Sequence, residues 1–235
     1  MADLYILAQT FEPNHMKKIL TIIFSLLTLA AGAQQFRYGF FVSPVKNTWV
    51  LQWDEYTAFG PTSGFKYGFL FDQTIGKGEH LALTFGMNLD YTQGGMAQAD
   101  NGQDHVDKDW MVRARYFEIP VLVKIRTGQI GKFIIYGQGG GMYGKALRSR
   151  GDYSENGVRH DTDINYLNNE NSNLHYLPTN LSINLGIGTE IAITETASIL
   201  LGFYFENGLT DIFQDSNVNT DILLQQMGIQ IGGLF

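Results

Sequence analysis

Gly139, Gly141 and Gly144 reproduce the Gly-x-Gly-x-x-Gly spacing with which a glycine-rich turn admits a dinucleotide phosphate. With Lys145 they nearly complete a P-loop. Such a turn works where a strand runs into a helix whose N-terminus points at phosphate. No helical period follows Lys145, and Ala146 stands where a Ser or Thr is required. These glycines are read as positions that let a crowded β-wall pack. His105, His160 and His175 lie near carboxylates in segments expected to be loops, which raises a surface hydrolase of the His/Asp type. No serine or carboxylate is tied to them by a motif, and His80 falls at the turn side, away from the others. Asp100, Asp104, Asp107 and Asp109, with Asp161 and Asp163, offer oxygen ligands for Ca²⁺. Their spacing misses the calcium-loop pattern, Gly102 is misplaced for it, and a solvated acidic loop is the expectation. Arg150-Gly151-Asp152 is the tripeptide of integrin ligands; it falls in the longest expected loop and is a candidate surface contact. No catalytic residue, metal site or cofactor is assigned.

The elements that must position these residues are strands. Leu181, Ile183, Leu185, Ile187, Ile191 and Ile193 share one parity, interrupted only by Thr189; Ser182, Asn184, Gly186, Gly188, Glu190 and Ala192 share the other. A period of two means an extended chain with side chains leaving on opposite faces. The run is longer than the roughly 5–6 residues of a soluble strand and suits a tilted bilayer crossing, which takes about 9–11.

Seven further strands are expected at Phe36–Ser43, Gly64–Gln73, His80–Gly94, Met111–Arg126, Lys132–Leu147, Ala197–Gly208 and Asp221–Phe235. In most of them apolar and polar or small residues alternate, as with Phe65, Tyr67, Phe69 and Phe71 opposite Lys66, Gly68 and Asp72. The connections alternate too. Thr74–Glu79, Thr127–Gly131 and Thr194–Thr196 are short, whereas Pro44–Ser63, Gly95–Trp110, Arg148–Leu177 and Leu209–Thr220 are long. Tight turns on one side and long loops on the other fit an outer-membrane barrel. The fold expected is therefore all-β, an eight-stranded antiparallel up-and-down transmembrane β-barrel.

Composition narrows the function classes. The 235 residues include 27 Gly, 16 Phe and 12 Tyr, and only 17% are charged. There is no cysteine, which excludes disulfides, thiol nucleophiles and a lipoprotein anchor. The net charge of −7, with no basic run after Lys17-Lys18, argues against a nucleic-acid partner. Met16-Lys17-Lys18, the apolar run Ile19–Ala30 and Ala31-Gly32-Ala33 form a secretory signal, with cleavage expected between Ala33 and Gln34. Residues 1–33 are then an upstream extension plus signal peptide starting at Met16, and 34–235 are the barrel. Glu118, Lys124, Glu190, Tyr204 and Glu206 fall on inward parity, so a buried salt-bridge and tyrosine network is expected inside the lumen. The aromatics of Pro44–Ser63, including Trp49, Trp53 and Tyr56, could form a binding surface, fold over the rim or join an interfacial girdle.

The C-terminal strand ends in Phe235, which resembles the aromatic terminal signal by which barrel-assembly machinery takes up outer-membrane proteins. Tyr116-Phe117-Glu118-Ile119-Pro120-Val121-Leu122-Val123-Lys124 is similar to the Tyr-x-Glu-(Ile/Leu)-Pro-x-x-x-Lys strand of PorT-like outer-membrane proteins of the Bacteroidetes. Ile135-Tyr136-Gly137-Gln138-Gly139-Gly140 resembles that family's next strand, with Ile135 where proline is common. The resemblance implies an eight-stranded barrel in a Gram-negative outer membrane. The expected role is non-enzymatic, acting through outer-membrane lipid and envelope or secretion-system proteins. A small pore, an adhesion protein using Arg150, Gly151 and Asp152, a surface hydrolase and a soluble ligand-binding barrel are the alternatives.

Overall fold

The computed structural model describes residues 36–51, 56–76, 78, 80–98, 108–167, 174–215 and 222–235. The signal segment, Trp53, His105, Asp100, Asp104 and Asp107 lie outside the described residues, as do the side chains of Tyr56 and His175.

Twelve strands form in chain order: β1 (Phe36–Leu51), β2 (Tyr56–Ala58), β3 (Thr62–Thr74), β4 (Leu81–Gln98), β5 (Lys108–Arg126), β6 (Phe133–Glu155), β7 (Val158–Asn165), β8 (Leu174–Tyr176), β9 (Thr179–Ala192), β10 (Ser198–Gly208), β11 (Phe213–Asp215) and β12 (Ile222–Leu234). Eight of them, β1, β3, β4, β5, β6, β9, β10 and β12, pair antiparallel with their neighbours, and β1 pairs with β12 to close the cylinder. Closure leaves this wall without the free edges of an open sheet. Among the described residues there is no helix.

The alternation in sequence becomes the two faces of the wall. Outside stand Phe40, Phe69, Met87, Val121, Ile125, Leu185, Ile187, Phe203 and Ile229, with Ile125 63% and Phe69 60% exposed. In water such an apolar surface would be an aggregation site; around a closed cylinder it is the belt that meets hydrocarbon. Aromatics mark both rims of the belt. Phe36, Phe71 and Phe85 stack near the turn end, and Tyr67 stacks on Tyr91 with ring centroids 6.1 Å apart near the loop end.

The strands run further toward the loop end than periodicity indicated. β1 passes Pro44 and reaches Leu51. The β1–β12 ladder has a gap between Val42 and Val45, where Pro44 has no N–H to give. β6 continues to Glu155 and turns through Asn156-Gly157 into β7. Arg150-Gly151-Asp152 is thus in a strand and not in a loop, a correction to the expected Arg148–Leu177 connection. Gly151 pairs with Val112 on β5 and with Ile164 on β7. Gly139, Gly141 and Gly144 also lie within β6, so the phosphate-turn pattern has no turn.

Candidate functional site

The inward face of the barrel carries the chemistry. Near the loop end the Lys66 ammonium lies 2.8 Å from Glu118 Oε2, 2.9 Å from Glu206 Oε2 and 3.8 Å from Asp90 Oδ2. It also donates to Gln226 Oε1 at 3.0 Å. Ser182 Oγ donates to Glu206 at 2.6 Å, and the Gln226 amide donates to Asp90 at 2.7 Å and Asn47 at 2.9 Å. Tyr204 stands beside this cluster, its ring 5.7 Å from the ammonium and its hydroxyl accepting a hydrogen bond from Ser43 Oγ at 3.1 Å. Gly228 makes the room, since a Cβ there would meet the Tyr204 ring.

A second cluster lies toward the turn end. Asp72 accepts from Lys124 at 2.6 Å, from Thr84 at 2.6 Å and from Arg126. Glu190 pairs with Arg37 and lies 3.2 Å from Arg126 Nε and 3.7 Å from Lys124. Arg37 is also 3.7 Å from Asp72, and Lys124 sits 4.9 Å over the Tyr136 ring. Six residues separate Lys66 from Asp72 and Glu118 from Lys124, about 20 Å of strand.

The two clusters are unequal in make-up. Three carboxylates surround one ammonium near the loops, whereas three cations share two carboxylates near the turns. Between the clusters a cavity of about 30 Å³ remains, lined in part by Lys66, Asn88, Gln138, Asn184, Tyr204 and Gln230.

Above the Lys66 cluster the lumen turns apolar. Trp49, Met96, Val112, Tyr116, Tyr176, Ile212, Phe213 and Leu224 pack into one buried group. β8 and β11 pair with each other as a small separate sheet, carrying Tyr176 and Phe213 into this cap. Tyr176 and Phe213 meet edge to face at 4.7 Å, Trp49 meets Phe213 at 5.3 Å, and the Tyr116 and Tyr176 hydroxyls lie 2.5 Å apart. Burial holds the Tyr176 phenol well above its ordinary range and pushes the Tyr166 phenol up to about 12. Trp49 is thus inside the barrel mouth and no part of an external aromatic girdle.

The inward residues singled out from sequence divide between the clusters: Glu118, Glu206 and Tyr204 by Lys66, Lys124 and Glu190 by Asp72. Their principal partners, Lys66, Asp72, Asp90, Arg37 and Arg126, were not named as site residues. All five alternate with outward apolar residues in their strands, and that parity was the signal. Among the histidines, His160 lies on β7 with Nε2 3.5 Å from Glu155, and His80 contacts the Arg126 carbonyl oxygen at the turn end. These two are at opposite ends of the wall. Asp163 pairs with Arg150, and no metal-holding group of His, Asp and Glu exists among the described residues. Phe235 packs outside the wall against Tyr38 and Phe40, its backbone N–H bonded to the Tyr38 carbonyl.

Residues 32–214 match the family model described as the outer membrane protein beta-barrel domain. No curated protein sequence matches the chain. Among solved structures, it is similar to the Neisserial surface protein A, at 11% identity over 86% of this chain and 97% of that one, with a TM-score of 0.43. The outer membrane protein OprG of Pseudomonas aeruginosa gives 14% identity over 85% and 93%, with a TM-score of 0.41. The outer membrane protease OmpT of Escherichia coli gives 10% over 86% and 96%, with a TM-score of 0.44.

Proposed function

The chain belongs to the outer membrane protein β-barrel domain family, and from that premise we propose that it is a non-conducting, non-enzymatic anchor that holds an extracellular β-structure at the cell surface for contact with envelope or secretion-system proteins. The observation that carries this reading is the filled lumen. A pore needs a continuous wet path, and here two ion-pair clusters and an apolar cap follow one another along the axis. An eight-stranded wall leaves space only for its own side chains. The part that projects beyond the apolar belt is ordered into sheet by β2, β7 and the outer ends of β4, β5 and β6, a rigid platform for recognition. Buried carboxylates that spend their hydrogen bonds on lysine, arginine and glutamine are poor acid–base catalysts for an outside substrate.

The Tyr116–Lys124 segment supports placement among the PorT-like proteins of the Bacteroidetes. Its Glu118 and Lys124 are the residues that enter the two clusters, which gives the motif a structural meaning. Planar-bilayer recording of the refolded protein tests the reading. The expected record shows no steady openings; stable single-channel steps from folded protein would replace the anchor with a pore.

A further inference from the structure

Just above the loop-end aromatics, the outer surface of β5 and β6 changes from apolar to basic. The register sets Arg113 opposite Arg150 and Arg115 opposite Arg148. The ladder slips between Arg115 and Tyr116, where Leu147 is the extra residue of a bulge. Alternation along β6 inverts there. Lys145 and Leu147 face outward, Ala146 and Ser149 are buried, and Arg148 and Arg150 then face outward as well. Without the slip those two arginines would point into the lumen. A bulge that re-aims side chains is a common device beside a working surface.

Like charges directly opposite one another weaken a sheet. Two acids offset part of this charge: Asp152 lies 3.4 Å from Arg113, and Asp163 pairs with Arg150 and is 3.9 Å from Arg148. Against four arginines and Lys145, two carboxylates leave the patch cationic. Arg115 lies 4.5 Å over the Tyr91 ring, and its Nε finds no hydrogen-bond acceptor among the described residues. Tyr91 stands opposite Arg115, and next to the patch Phe117, Tyr143 and the exposed Leu147 belong to the lipid-facing wall. Guanidinium groups at that height reach the headgroup layer, and their planar forks match phosphate oxygens.

We propose that Arg113, Arg115, Arg148 and Arg150 form a binding site for the phosphate groups of an outer-leaflet lipid. The occupant follows from height and charge together: the patch adjoins hydrocarbon on one side, and its surplus is positive. Arg150 of the Arg-Gly-Asp tripeptide thereby serves a lipid headgroup and not a soluble receptor. The proposal rests on the outer-membrane location and stands whether or not the barrel conducts.

Native mass spectrometry of the whole protein in neutral detergent tests it, with diphosphoryl lipid A, its dephosphorylated form and inorganic phosphate as probes. The phosphorylated lipid should be retained about tenfold better than the dephosphorylated one, the scale expected of one or two charge-assisted bonds. The double variant Arg148→Gln/Arg150→Gln, whose side chains lie outside the core, should erase that preference. Asp163→Asn should strengthen it by freeing both arginines; Asp163 has φ 58°, a conformation asparagine accepts. Equal retention of the two lipids overturns the proposal, as does an unchanged preference in the double variant. Displacement of the lipid by millimolar inorganic phosphate would assign the site to free phosphate and sink the lipid reading.

Discussion

Replacement of Lys66 by methionine tests whether the lumen is held by charge pairing or merely by filled volume. Met matches the length and apolar stem of Lys, so packing changes little. The Lys66 side chain is 2% exposed, and its ammonium serves three carboxylates and one amide oxygen. At an effective dielectric near 20, each contact of roughly 3 Å is worth about 5–6 kcal/mol before desolvation is counted. Desolvation cancels most of this, and removing one partner of a buried pair typically costs about 3–5 kcal/mol. Lys66→Met belongs at the top of that range, because Asp90, Glu118 and Glu206 then face one another with no cation among them. Lys124→Met is the internal comparison. Asp72 keeps Arg126 and Thr84, and Glu190 keeps Arg37 and Arg126, so the loss is one charged hydrogen bond, about 1.5–3 kcal/mol. Urea titration of protein refolded into phosphatidylcholine vesicles, followed by tryptophan fluorescence, reads both. Adding Glu118→Gln and Glu206→Gln to Lys66→Met should recover more than half of its loss. If Lys66→Met costs no more than Lys124→Met, the inequality of the two clusters has no energetic meaning and the reasoning fails.

Two further substitutions probe the wall. A Cβ at Gly140 would collide with the Val121 carbonyl oxygen, whereas a Cβ at Gly141 meets nothing within 4 Å. Gly140→Ala should therefore lower the urea midpoint by the equivalent of about 1–3 kcal/mol, the scale of overpacking, while Gly141→Ala should be neutral or slightly stabilising. Equal damage at both would contradict the strand assignment. Outside the wall the Phe235 ring packs against Tyr38 and Phe40. Phe235→Ala should leave the urea midpoint within about 1 kcal/mol of the parent yet reduce the heat-modifiable folded form recovered from outer membranes, as expected of a residue read by assembly machinery. Normal recovery from the membrane would remove that role.

Hydrocarbon makes a sequence legible. Where one face of a strand meets lipid, every second residue must be apolar, and the eight barrel strands and their order can be read from that constraint. The constraint ends where the wall leaves the bilayer. Beyond Leu147 the outward positions are Arg148, Arg150 and Asp152, and beyond Pro44 β1 places Thr48 and Val50 outside. These segments remain strands because their neighbours pair with them. Backbone pairing to another strand leaves no local period, so residues with mixed faces look like loops.

The same reasoning explains why half of the charged interior was missed. Glu118 and Lys124 draw attention because they interrupt a valine-rich strand, whereas Lys66 and Asp72 sit in a strand already rich in aromatics, and Arg37 lies one residue from a strand end. Which acid meets which base depends on the stagger of eight tilted strands. Lys66 on β3 reaches Glu206 on β10 across the lumen, although β1 and β12 separate them around the wall. Parity chooses the face of each residue; only the shear of the closed cylinder chooses its partner.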